Sequence, residues 1–156
     1  REVRIIPHQD RHIAFVHHVG PYDEIGPIFE GLMGLAEAHD EIDSHTERIG
    51  IFYDDPSQVP AEKLRCDVAV AIDKPVAPQH DVQIGVLEGC DAALLEYAGP
   101  YDKLAEAYKY LYEVWLPQSG RQAADRPPFE IFRNDVDDTA PGHLLTDIYL
   151  PLKSEA

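Results

Sequence analysis

Cysteine is scarce in this chain. Two cysteines in 156 residues, Cys66 and Cys90, lie far apart and in no C-x-x-C arrangement, which excludes a disulfide framework and reads as a pair of buried reduced thiols. Positive charge is scarce as well: 13 Lys and Arg stand against 29 Asp and Glu, a net charge of −16. Such a surface repels a phosphate backbone, so the chain makes no direct nucleic-acid contact of its own, and no helix-turn-helix pattern occurs in it. No apolar run approaches the roughly 20 residues of a membrane span. The opening Arg1-Glu2-Val3-Arg4 enters a strand pattern without an apolar signal core, so the expected location is the cytoplasm. With no initiator Met, the expectation is a chain trimmed or cut from a longer polypeptide. Catalytic and metal signatures are missing too. There is no G-x-S-x-G, no glycine-rich phosphate loop, no H-x-H and no H-E-x-x-H. His17 and His18 are adjacent and point to opposite faces of a strand. The acidic runs Asp54-Asp55 and Asp135-Asp137-Asp138 lack EF-hand spacing and its glycine and read as turns. We expect neither metal nor cofactor.

What is present is a repetition. Gly20-Pro21-Tyr22-Asp23 recurs as Gly99-Pro100-Tyr101-Asp102, and the same shift of 79 carries Val3 onto Val82, Ala14 onto Ala93, Ile25 onto Leu104 and Leu32 onto Leu111. Farther along the shift becomes 80, aligning Ile51-Phe52 with Ile131-Phe132, Leu64 with Leu144 and Asp67 with Asp147. The expected organisation is a single domain, 1–156, of two copies of one unit, about 3–73 and 82–153, joined by the Pro75 and Pro78 linker, with a ligand cleft at the pseudo-twofold seam. In the first copy, strands over 3–8 and 12–19 form a hairpin. A helix then runs from about Pro27 to His39 with the apolar stripe Ile28, Phe29, Leu32, Leu35 and Ala36, followed by strands at 49–53 and 66–72. The second copy repeats the order: strands at 82–87 and 92–98, a helix over about 101–116, and strands near 129–133 and 147–152. Hairpins flanking one helix imply an α+β fold with mainly antiparallel sheet and helices on one face.

The copies differ at one informative position. Glu130 sits inside the strand Phe129-Glu130-Ile131-Phe132, where the first copy has Gly50. Alternation puts Glu130 on one face with Phe132 and sends Phe129 and Ile131 to the other. On an exposed face this is an ordinary strand glutamate. On a buried face an unpaired carboxylate costs several kcal/mol or takes up a proton, and is kept where a cationic or hydrogen-bonding partner arrives. Aromatic residues gather around the repeated segments: Phe15, Tyr22, Phe52, Tyr53, Tyr101, Tyr108, Tyr112, Trp115, Phe132 and Tyr149. Helical spacing assigns Tyr108 and Trp115 to the core first. A carboxylate among such rings suits an amphipathic organic cation, with cation–π attraction of about 0.5–2 kcal/mol per ring.

Several blocks together resemble the gyrase-inhibitor-like (GyrI-like) superfamily. They are His18-Val19-Gly20-Pro21-Tyr22, Ile51-Phe52-Tyr53-Asp54-Asp55-Pro56, Pro60-Ala61-Glu62-Lys63-Leu64-Arg65-Cys66-Asp67, Phe129-Glu130-Ile131-Phe132 with Asn134-Asp135, and Asp147-Ile148-Tyr149-Leu150-Pro151-Leu152. The resemblance implies two strand-helix-strand-strand modules and a cleft for bulky, hydrophobic, often cationic compounds. Glu130 would be its polar anchor, with Tyr149 and Trp115, then Tyr53, Phe15, Tyr112 and Phe132, as walls. Phe132 stands where a tyrosine is common, removing one ligand-orienting hydroxyl. The function so implied is that of an effector sensor of an AraC-type multidrug regulator, whose DNA-binding domain would lie in a fused or preceding segment, or of a stand-alone drug-sequestering protein. Two rivals follow from the same resemblance. One is a hydrolase of strained cyclopropane-ring genotoxins, in which Glu130 would be catalytic; the other is a protein that inhibits gyrase through its acidic surface.

Overall fold

The computed structural model describes residues 2–38, 46–73 and 81–155; His39, Pro75 and Pro78 lie outside them. In chain order the strands are β1 (Val3–His8), β2 (Arg11–Val19), β3 (Arg48–Phe52), β4 (Arg65–Ala71), β5 (Gln83–Leu87), β6 (Cys90–Ala98), β7 (Phe129–Phe132) and β8 (Leu145–Pro151). Helix α1 (Gly26–Ala38) lies between β2 and β3. Between β6 and β7 come α2 (Leu104–Tyr110), a π-helical turn (Leu111–Trp115) and α3 (Leu116–Ser119). The fold is α+β, and every strand pair given below is antiparallel.

The chain divides into two compact units, Gln9–Gly89 and a second made of Arg1–His8 with Cys90–Ala156. In the first unit the strand order is β5-β2-β4-β3, and α1 packs on β4 and β2 with Phe29 and Leu32 buried. In the second it is β1-β6-β8-β7, with α2 against β6. The expected hairpins are therefore overturned. β1 pairs with β6, register His8↔Cys90, rather than with β2, and β5 pairs with β2 rather than with β6. A two-residue hairpin loop needs positive φ, which Asn and Gly supply; Gln9-Asp10 between β1 and β2 offers neither. Asp10 instead accepts a hydrogen bond from the Gly89 N–H at 2.6 Å.

The Gly-Pro-Tyr-Asp segments have a local physical cause. Gly20 and Gly99 adopt φ of +143° and +152°, a region that side chains rarely enter. Each donates its N–H across to the strand-entry residue of its own unit, Gly20 to the Leu64 carbonyl at 2.8 Å and Gly99 to that of Leu144 at 2.9 Å. Beyond Gly99 the buried Tyr97 hydroxyl donates to the Pro100 carbonyl at 2.7 Å, and a Cβ on Gly99 would come within 2.8 Å of that hydroxyl oxygen. The acidic runs are indeed turns: Asp55 accepts from the Ser57 N–H at 2.8 Å and Asp135 from the Asp137 N–H at 3.1 Å.

The second helix departs from a continuous α-helix at Leu111. The Leu116 N–H bonds the Leu111 carbonyl, five residues back, and one residue later comes Pro117, which has no N–H and clashes with the carbonyl four residues before it. Widening the turn accommodates the proline without breaking the helix, which runs on until Gly120 caps it at φ +75°. The apolar positions still close one core, in which Ala107 and Leu111 are buried with Ala93, Leu95, Ile148, Leu150 and Leu152, and Leu104, Tyr108 and Trp115 pack against them. Full burial of a leucine such as Leu111 contributes about 1.5–3 kcal/mol.

Gly99→Ala is expected to destabilise the protein by about 1–3 kcal/mol. Gly142→Ala, where a Cβ meets nothing within 4 Å, should change little. Urea denaturation of both variants checks this.

Candidate functional site

Parity along the strands of the second unit decides what surrounds Glu130. β7 pairs with β8 in the register Glu130↔Ile148 and Phe132↔Thr146, and β8 pairs with β6 through Ile148↔Leu95. Glu130 and Phe132 therefore share the face that carries Leu95, Ile148 and Leu150, the face covered by α2 and the π-turn. The carboxyl group is buried: Glu130 is 5% exposed. Tyr108, reaching down from α2, donates its phenolic O–H to Glu130 Oε2 at 2.5 Å. Burial raises the Glu130 pKa from 4.5 to about 7, and the Tyr108 hydrogen bond pulls it partway back. At neutral pH the group is thus poised between a neutral acid and a carboxylate. A short phenol–carboxyl contact under an apolar lid can anchor a cation, accept an N–H or O–H, or pass a proton.

Two further residues complete this face. Phe132 meets Tyr101 edge-on with centroids 5.8 Å apart. Thr146, fully buried opposite Phe132, has a hydroxyl with no hydrogen-bond partner among the described residues. Trp115 packs against the same core from the π-turn, whereas Tyr112 points outward and is 38% exposed.

The remaining wall residues lie elsewhere. Tyr149 pairs with Phe129 and so faces the opposite side of the sheet from Glu130; its ring stacks on Phe129 at 4.7 Å with 7° between the planes. Tyr53 and Phe15 belong to the Gln9–Gly89 unit. There the Tyr53 O–H donates to Asp67 Oδ2 at 2.5 Å, and Asp67 Oδ1 meets His17 Nδ1 at 2.7 Å. Burial and the Asp67 contact push the Tyr53 phenol above its ordinary value. Phe15 lies over Gly85, its ring 3.1 Å from where a side chain at Gly85 would begin. The structure thus gathers Glu130, Phe132 and Trp115 on one face of one unit and adds Tyr108 and Thr146. Helical spacing had placed Tyr108 in the core, and no spacing signal marks Thr146. The one available clue was that Tyr108 lies four residues after Leu104 and three before Leu111, on the helix stripe that must meet the sheet.

Glu130 gives stability a definite pH dependence. Its folded-state pKa, about 7, lies above the unfolded 4.5, so between these values the native state holds a proton that the unfolded chain has released. The associated stability is fully present below pH 4.5 and is lost as pH rises through about 7, a change of about 3 kcal/mol. Denaturation of wild type and Glu130→Gln at the two ends of this window should show that extra loss in wild type alone. Thr146→Val, which replaces an unpartnered buried hydroxyl by a methyl, is expected to stabilise by about 1 kcal/mol in the same assay.

Among the described residues no helix is long and apolar enough to cross a membrane. Comparison with known proteins gives a consistent picture. A DNA gyrase inhibitor of Klebsiella pneumoniae (strain 342) is 32% identical over 149 residues, covering 92% of this chain and 92% of that protein. The crystal structure of the EcmrR C-terminal domain superposes with a TM-score of 0.81 at 15% identity, covering 98% of both chains, while the chain spans 57% of the EcmrR chain in its DNA complex. A structure of SAV2435 bound to tetraphenylphosphonium superposes with a TM-score of 0.66 at 13% identity, covering 99% of this chain and 95% of that chain. The family model of the GyrI-like small-molecule-binding domain matches residues 1–153, and the chain therefore belongs to the GyrI-like family.

Proposed function

We propose that this GyrI-like domain binds bulky amphipathic molecules, organic cations above all, on the helix-covered face that holds Glu130. The observation that carries the reading is the buried Glu130 carboxyl capped by the Tyr108 phenol. Such a group is costly to ionise in place, and a cation that displaces or joins the Tyr108 hydroxyl would supply the missing counter-charge. Phe132 and Trp115 offer aromatic surface on the same side. The tetraphenylphosphonium held by a protein of the same fold is in keeping with this chemistry. In a cell the domain would act as the effector sensor of a transcription regulator or as a stand-alone sequestering protein. The two units, with their matching strand orders and glycine turns, read as copies of one strand-helix-strand-strand module.

The test is calorimetry with tetraphenylphosphonium and with neutral triphenylphosphine oxide. Glu130→Gln should weaken cation binding by roughly 10- to 100-fold, about 1.4–2.8 kcal/mol, and leave the neutral compound unaffected. Because binding would favour the ionised carboxylate, wild type should release a proton below pH 7, read as a dependence of the heat on buffer ionisation enthalpy. Cation binding indifferent to Glu130→Gln would sink the anchoring role.

A second reading has its own observation, the DNA gyrase inhibitor relatives at 32% identity. On that reading the chain would act on gyrase through its acidic surface. A supercoiling assay separates the two, since inhibition lost on reversing surface acids but kept in Glu130→Gln belongs to a protein partner.

A further inference from the structure

The two cysteines occupy very different settings. Cys66 on β4 is fully buried, and His18, directly across the ladder from it, is turned to the Pro21 carbonyl at 3.3 Å. Cys90, the first residue of β6, is partly exposed, and its cross-strand partner is His8, the last residue of β1. Here the imidazole reaches the sulfur, with His8 Nε2 lying 3.4 Å from Cys90 Sγ. His8 is itself only 6% exposed and is walled by two rings, Phe129 at 5.1 Å and Tyr149 at 6.2 Å, both edge-on. Cross-strand registration fixes the backbone of the pair and the rings fix the imidazole, so the nitrogen is held at the sulfur. The pair lies on the Tyr149 face of the sheet, the opposite side from Glu130, and is a separate site.

A thiol held against an imidazole is the arrangement that activates a sulfur nucleophile, because the ring can take the thiol proton as the new bond forms. We propose that Cys90 and His8 form a covalent capture site for small soft electrophiles of the α,β-unsaturated carbonyl class. In the reaction His8 Nε2 accepts the Cys90 proton and the sulfur adds to the β-carbon. The double-bond electrons shift to the α-carbon and carbonyl oxygen, and the imidazolium returns the proton to the α-carbon. The product is a thioether, with no oxidant, metal or leaving group involved. Partial exposure of Cys90 gives a small electrophile access, and full burial of Cys66 denies it. The inference goes beyond the Glu130 reading and is independent of it.

The probe is acrylamide, a small neutral Michael acceptor, with adducts counted by intact mass and placed by peptide mapping. In wild type near neutral pH, Cys90 should be alkylated faster than N-acetylcysteine under the same conditions, with Cys66 protected. In His8→Phe, with Cys66 still protected, the Cys90 rate should fall roughly tenfold. Cys66 serves as the folding control inside the same molecule. An unchanged Cys90 rate in a His8→Phe protein whose Cys66 stays protected overturns the proposal. If His8→Phe exposes Cys66 and so reports unfolding, the wild-type comparison decides alone: a Cys90 rate at or below that of N-acetylcysteine overturns it as well.

Discussion

A carboxyl group on the apolar side of a sheet has to find a donor or give up its charge, and in this protein the donor is Tyr108. The contact sets more than the state of Glu130. It joins β7, the edge strand of its unit, to the helix that covers the sheet. A ligand that engaged the carboxyl group would have to displace the phenol or join it, and either event would be felt along α2. The π-turn that follows, forced by Pro117, lies next to this contact along the same helix. Such turns cost regular hydrogen bonding and are common at working sites.

The two faces of the same small sheet carry different chemistry. On the helix side are Glu130, Tyr108, Phe132 and the Thr146 hydroxyl, which has no hydrogen-bond partner among the described residues. On the other side Tyr149 and Phe129 stack and wall His8 against Cys90. The alternation of strand side chains lets the eleven residues of β7 and β8 serve both, and one residue of slip would exchange the sets. The pairings Glu130↔Ile148 and Phe129↔Tyr149 therefore decide which side chains each face carries.

Much of this was legible in the residues. The α+β class, the positions of strands and helices to within a few residues, the turn character of the acidic runs and the placement of Glu130 beside Phe132 all follow from periodicity, glycine and proline. The pairing of β1 and β5 was not legible. Each strand has the same alternating pattern whichever neighbour it takes, and only the loop chemistry at Gln9-Asp10 hints that the local hairpin is disfavoured. The family resemblance groups Tyr149 with Glu130, but the register sets Glu130 opposite Ile148 and Tyr149 opposite Phe129, which sends the two side chains to opposite faces.

The sequence alone determined that a carboxylate would stand in an apolar strand, that the glycine turns would recur, and that the chain would carry a net charge of −16. These are consequences of local sterics, alternation and net charge, which need no partner. Tertiary structure decided whether that carboxylate would be exposed or buried, which phenol would meet it, and that His8 would reach Cys90 across 82 residues of chain. Those outcomes depend on which strands share a ladder and which helix face closes on it. Contacts between distant segments fix both, and no local pattern encodes them.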